Sequence, residues 1–515
     1  MTAAADRIFT NATVRALDGS GDAAEAVAVR DGEVVRVGDA YEVDFLRGVE
    51  TDVVDLGGRV LLPGFVDAHT HLQYLGRSLV HADLSAADSP DDCVDLLAES
   101  ADGDAGDADE WILGFGFDES AWSESRYLTR EDLDRASEAR PVAAFREDMH
   151  IAAVNSVALD RYADEMPDAD VRTEGGEPTG VVVEEAVDVV YEAIEPDAEG
   201  TRELLDAAQR EAHRVGVTAV HDMVRDSRAP QVYREMDRNG DLALRVRLNY
   251  WSDHLDALVE TGLRTNHGSE FVRVGAVKTF TDGSLGGRTA RLSEPYADSD
   301  ASETGQWVVA PDELRDFVDR ADGEGYQLAA HAIGDEAVDE VLSAYETTDD
   351  PGESRHRVEH AELVSDGNVE RFADSGVVAS VQPNFLKWAD DGGLYDARLG
   401  AERRRKADRF ADLLDAGARL AFGSDCMPFD PLFGVHQAVN APEDCQRLSV
   451  TEALRAYTSG AAYAGFDEDR LGTVDVGKKA DLVALERSPW EHPEDVENVD
   501  VALTVVDGDV VYDGR

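Results

Sequence analysis

The chain has 515 residues, 43% of them hydrophobic and 30% charged, enough apolar material for one barrel-sized core and a smaller satellite domain. Lys and Arg total 48 against 109 Asp and Glu, a net charge of −61 that repels nucleic acid and anionic membrane and excludes binding to a phosphate backbone. Only five of the cations are lysine (Lys278, Lys387, Lys406, Lys478 and Lys479), and this acid-rich, lysine-poor balance is that of a halophilic protein with a solvated acidic surface.

The opening MTAAADRIFTNATV places Asp6 and Arg7 where an export signal needs its apolar run, and no stretch reaches the roughly 18 apolar residues of a membrane span, so a soluble, non-exported chain is expected. Cys93, Cys426 and Cys445 lie far apart with no CxxC spacing, which speaks for reduced cytoplasm and against a disulfide framework or a thiolate zinc knuckle. IFTNATVRAL, AEAVAVRDGEVVRVG and TDVVDLGGRVLLPG read as short alternating strands. LGTVDVGKKADLVAL and VALTVVDGDVVYDG repeat that style at the far end, with DG and GD turns, so the two ends are expected to complete one sheet domain. Between them, WILGFGF, PVAAF, GVTAVHDM, LRVRLNYW, VRVGAVKTF, YQLAAH, HRVEH, VVASVQPNF and LAFGSD alternate with helical stretches such as PDELRDFVDRADGEG. That alternation predicts βα units, a mostly parallel sheet and a closed barrel. Residues from about 75 to 205 exceed what a βα unit needs and are expected to hold an insertion, with ADGDAGDADE and TEGGEPTG as loops.

The sharpest local signal is DAHTH after the apolar run VLLPGF. On a strand, residues i and i+2 share a face, so His69 and His71 can look into one barrel mouth and bind one ion; a chance pair of histidines beside a turn is the plainer reading of that motif alone. His331, His360 and Asp425 each end an apolar run, and the C-terminal ends of strands are where a barrel assembles its site. Any one of these alone reads equally as a capping or buried structural residue. Lys278 sits inside the strand-like VRVGAVKTF, where an ammonium needs a partner such as Asp282 or must give up its proton. The functional alternative is a carboxylated lysine, whose carbamate bridges two divalent ions.

DAHTH, VKTFTDGSLGGRTA, HAIGD, VEH and GSD, in that order, resemble the amidohydrolase superfamily, in particular amidohydrolase family 3, the YtcJ-like branch similar to N-substituted formamide deformylase. The resemblance covers nearly the whole chain, from PGFVDAHTH to LGTVDVGKKADLV, and takes in WILGFGFDES and PVAAFREDMHIAAVNSVAL. It implies a distorted (β/α)8 TIM-type barrel over residues 61–465 and a small β-sandwich built by residues 1–60 and 466–515. It also implies a divalent metal, zinc or a similar ion, at the C-terminal face of the barrel. His69, His71 and Asp425 would take the first ion, Lys278 would bridge, and His331 with His360 would take a second. The family's usual DGH stands here as Asp148-Met149-His150, a departure that weakens His150 as a substrate contact.

Such an ion lowers the pKa of bound water to roughly 7 and supplies hydroxide at neutral pH, with Asp425 placed to take the proton and hand it to a leaving nitrogen. Candidate substrate contacts are Trp122, His150, Asp282, Arg288 and Gln382; each also has a bland role as turn, surface pair or lid aromatic. The expected activity is hydrolysis of an amide, formamide or cyclic amide C–N bond in a small molecule. Deamination of a small heterocycle is the second reading, although related deaminases carry a Glu three residues after the His of the fifth strand, where this chain has Gly334. A non-catalytic regulator on the same barrel is the third. Oligomeric state is left open, a homo-oligomer included.

Overall fold

The computed structural model describes residues 4–515 except 20, 22, 104–109, 120, 121, 125, 148, 150, 300 and 301. The chain divides into two units, one of residues 1–71, 209–226 and 233–515, the other of residues 72–208 and 227–232.

The first unit holds the barrel. Its strands are β1 (Phe65–Thr70), β2 (Val217–Val224), β3 (Arg245–Trp251), β4 (Val272–Phe280), β5 (Leu328–Ala332), β6 (Arg357–His360), β7 (Val378–Val381) and β8 (Arg419–Phe422). They lie side by side in chain order as one eight-stranded parallel sheet. Every residue of β1, β2 and β3 is buried, as expected of parallel strands covered on both faces. The register sets Trp251 beside Lys278, Phe280 beside His331 and Ala332 beside His360, so the ends that carry chemistry-bearing side chains lie level. Between β8 and β1 the gap closes through the segment after β8. Asp425 N–H donates to His69 C=O at 2.8 Å, and Ser424 N–H donates to the Asp67 carboxylate at 3.0 and 3.2 Å.

Helices on this barrel follow the end signals of the sequence. Pro311–Gly323 starts on Pro with Asp312 and Glu313 in its first turn, and the chain turns away at Gly325 with φ 80°. Asp366–Ser375 is capped by the Ser365 side chain, which accepts from Asn368 N–H, and ends at Gly376 in the left-handed region.

Both chain ends build the β-sandwich of this unit. A four-stranded sheet runs in the order Glu33–Gly38, Ala26–Arg30, Arg7–Thr10, Asp52–Asp55. A six-stranded sheet joins Val60–Pro63 antiparallel to Leu482–Leu485, with Val501–Val506 and Asp509–Asp513 beyond. Phe9, Val27 and Val54 from one sheet pack with Leu61, Leu482 and Leu503 from the other. Arg245, at the start of β3, donates to both oxygens of Asp481 at 2.6 and 3.0 Å, a buried bidentate pair that ties the barrel's lower end to the sandwich.

The second unit carries its own six-stranded sheet, in the order Val171–Glu174, Glu177–Val183, Ile151–Val154, Val142–Arg146, Ile112–Phe117, Ala82–Asp83. WILGFGF and PVAAF therefore belong here and not to the barrel, a correction to the single alternating series read from the sequence. Periodicity marks a buried strand but does not say which sheet it joins. Among the described residues no helix is long and apolar enough to cross a membrane.

Candidate metal centre

Alternation along β1 puts Asp67 and His69 on one face, and His71 follows directly after the end of the strand. The Asp67 carboxylate is fully buried and accepts His69 N–H at 3.0 Å; burial pushes its pKa up to about 7. His71 Nε2 lies 3.3 Å from Asp425 Oδ1 and His69 Nε2 3.8 Å from the same oxygen. His69, His71 and Asp425 can offer one ligand atom each, all within 4.8 Å of one another. Burial, assisted by the Lys278 charge, holds both imidazoles below their ordinary pKa, that of His71 at about 4, so both are the neutral rings that ligate metals. Two imidazole nitrogens and a carboxylate oxygen on rigid strand ends fit a divalent ion of the first transition row.

The other sequence-predicted ligands lie alongside. His71, His69, His360 and His331 form a row, with ring centroids 5.7, 4.9 and 4.5 Å apart in turn. His360 Nδ1–H donates to Gln382 Oε1 at 2.7 Å, which leaves its Nε2 for a ligand. The Gln382 amide nitrogen is buried without a hydrogen-bond partner among the described residues. His331 Nε2 lies 3.0 Å from Gly283 C=O. Lys278 is 1% exposed, with Nζ 5.9 Å from the centroid of the Trp251 ring. Burial lowers its amine pKa, and the Glu359 and Asp425 charges offset part of that shift. Both strand ends that carry His360 and Asp425 enter the left-handed region, φ 72° and 51°, at a cost of roughly 1–3 kcal/mol each that clusters at functional sites.

Three of the candidate substrate contacts, Asp282, Arg288 and Trp122, are held by partners of their own, and the Asp282 carboxylate lies 3.7 Å from His331 Nε2. Asp282 is not the partner expected for Lys278; its buried carboxylate accepts the N–H groups of Arg291, Ile333 and Gly334 at 2.7, 3.1 and 2.9 Å and so ties down the loops after β4 and β5. Arg288 is paired bidentately with Asp298 at 3.0 and 2.8 Å, the surface role. Trp122 is a core residue of the second unit, packed with Leu84, Leu97 and Phe117, and its indole N–H donates to Ala87 C=O at 2.7 Å. His150 lies outside the described residues.

Sequence reasoning missed Arg357 and Glu359, both buried on β6 beneath the histidine row. The signal was present in HRVEH, where opposite charges stand at i and i+2 on a strand whose only apolar residue is Val358, yet every residue of Arg357–His360 is buried.

The sequence model described as the amidohydrolase family matches residues 52–512. YtcJ of Bacillus subtilis (strain 168) is 33% identical over 96% of this chain and 97% of its own length. The N-substituted formamide deformylase of Arthrobacter pascens is 27% identical over 100% of this chain and 99% of its own. Among solved structures, a metal-dependent hydrolase of Pyrococcus furiosus superposes with a TM-score of 0.78 at 32% identity, covering 94% of this chain and 99% of that one. The protein is a hydrolase, and the chain belongs to the amidohydrolase family.

Proposed function

We propose that the protein hydrolyses the C–N bond of a small amide, formamide or cyclic amide. The observation that carries this reading is the convergence of His69, His71 and Asp425 on one point at the barrel mouth. The formamide deformylase relative supports the bond class. His69, His71 and Asp425 would hold one divalent ion, His331 and His360 a second, with Lys278 between them. Zinc suits the donor set, and when bound it supplies a water of pKa roughly 7 and a polarised carbonyl.

The chain's own groups do the rest. In its deprotonated form the Lys278 amine can add to the carbon of carbon dioxide and release one proton, giving a carbamate whose oxygens would serve as ligands to the ions. The Asp425 carboxylate takes the proton of the attacking water and delivers it to the leaving nitrogen. Gln382 orients His360 through Nδ1. Three unpaired cysteines, Cys93, Cys426 and Cys445, suit a reducing cytoplasm.

A specific observation disfavours the deaminase reading. A Cβ at Gly334, the position of the deaminase Glu, would lie 1.9 Å from Arg291 C=O, so that place accepts no side chain.

The test is Asp425→Asn against a panel of N-acyl compounds in high salt, with metal content measured on the same samples. The expected loss is at least 10² to 10⁴ in rate, the usual worth of a general acid–base. Full activity in the variant, or in chain stripped of metal, defeats the mechanism. Ammonia release from an aminated heterocycle with no amide cleaved moves the assignment to deamination.

A further inference from the structure

Glu359 is a wholly buried acid beside the ligand candidate His360, and the reaction above gives it no task. Arg357, two residues earlier on the same strand, claims both of its oxygens: Nε donates to Oε1 at 2.7 Å and Nη2 to Oε2 at 3.0 Å. Oε2 also lies 2.6 Å from His69 Nδ1, across the barrel. Arg357 is itself held in place, donating through Nη2 to Ala68 C=O at 2.7 Å and Ser380 Oγ at 2.8 Å, and through Nη1 to His221 Nδ1 at 2.8 Å. A carboxylate gripped by a guanidinium is ionised and can only accept hydrogen bonds. His69 must then carry its proton on Nδ1, and its lone pair sits on Nε2, the nitrogen that faces Asp425.

We propose that Glu359, clamped by Arg357, is a positioning residue that fixes His69 as its Nδ1–H tautomer and presents Nε2 to the metal. The inference rests on the metal-site reading above. Partners of this kind are worth about 10–100-fold in metal affinity.

The clamp makes the role testable by one substitution. In Glu359→Gln, Arg357 has only donors to offer, so the amide must turn its oxygen toward Arg357 and its NH2 toward His69. Nδ1 then becomes an acceptor and the ring proton moves to Nε2, the nitrogen a metal needs. Zinc affinity of the full chain, measured by competition with a chelator, should fall about 10–100-fold. The ¹⁵N shifts of His69 in the metal-free protein should change from the Nδ1–H to the Nε2–H pattern. In Arg357→Met/Glu359→Gln the amide is free to turn its oxygen to His69, so the Nδ1–H pattern should return and zinc affinity should recover to within a few-fold of wild type.

Unchanged affinity and tautomer in Glu359→Gln overturns the proposal. So does a double variant as weak as the single one, which would mark Glu359 as a purely structural acid. If the single variant does not fold, the double variant decides by its own ¹⁵N pattern, Nδ1–H in support and Nε2–H against. A wild-type chain that takes up no zinc refutes the metal-site reading instead, and the ¹⁵N patterns still judge the tautomer.

Discussion

Replacing Gly423 by alanine should part the barrel at the seam between β8 and β1, the two strands whose ends carry Asp425 and His69. A Cβ at position 423 would lie 2.4 Å from His69 N, 2.7 Å from His69 Cβ and 3.0 Å from Asp67 Oδ1. The first of these falls about 1 Å short of ordinary contact, and the nearest atoms belong to backbone and Cβ, so no side chain can swing away to make room. The seam must open instead. The 2.8 Å hydrogen bond from Asp425 N–H to His69 C=O is then lost, and the Asp425 carboxylate shifts against His71 Nε2, now 3.3 Å from Oδ1. A displacement of about 1 Å in such an arrangement costs on the order of 10²-fold in rate. Overpacking at the seam should also remove about 1–3 kcal/mol of stability. The assays are kcat/KM on any hydrolysed amide, zinc affinity by chelator competition, and the urea unfolding midpoint. Gly323→Ala is the control: nothing lies within 4 Å of its added Cβ, so it should gain about 0.4–1 kcal/mol and leave metal affinity alone. Wild-type activity and zinc affinity in Gly423→Ala would refute the claim that this seam sets the geometry of the site.

Lys278→Ala should lower both metal content and activity, with partial recovery in short carboxylic acids plus bicarbonate; Lys278→Arg should not recover, because a guanidinium forms no carbamate. An unmodified amine in a metal-loaded crystal would eliminate the bridge. With a net charge of −61, the thermal midpoint should climb with KCl as the Debye length shrinks from about 30 Å at 0.01 M to about 3 Å at 1 M; a flat or falling midpoint would refute the salt-adapted reading. His81 is held at about 4, below its ordinary 6.5, by burial and then by the Arg77 charge. Between those values the unfolded chain binds a proton that the folded chain refuses, so this contribution to stability is present above pH 6.5 and is lost as the pH falls toward 4. Urea midpoints of the wild type should thus fall more steeply over that window than those of His81→Gln; parallel curves would exclude the linkage.

Local pattern was enough to find the ligand candidates. DAHTH needs only the two-residue period of a strand to bring His69 and His71 to one face, His331 and Asp425 announce themselves by following apolar runs, and His360 by ending the strand-like HRVEH. Lys278 stood out because an ammonium inside such a run is costly wherever the strand goes. The alternating strands at both chain ends likewise foretold a shared sheet, and Val60–Pro63 pairs with Leu482–Leu485.

Tertiary structure decided whatever depends on which distant groups meet. Ile112–Phe117 and Val142–Arg146 look like barrel strands, yet a separate sheet takes them, because burial sets the period of a strand and not its partner. Trp122 and Arg288 have the right chemistry to touch a substrate, and only the folded chain shows that their hydrogen bonds go to Ala87 and Asp298. The hydrogen bond between Glu359 and His69 joins residues 290 apart, and the close approach of Gly423 to His69 arises only where the last strand returns to the first. A single sequence records which side chains point the same way along a strand; their hydrogen-bond partners appear only when the barrel closes and brings its ends together.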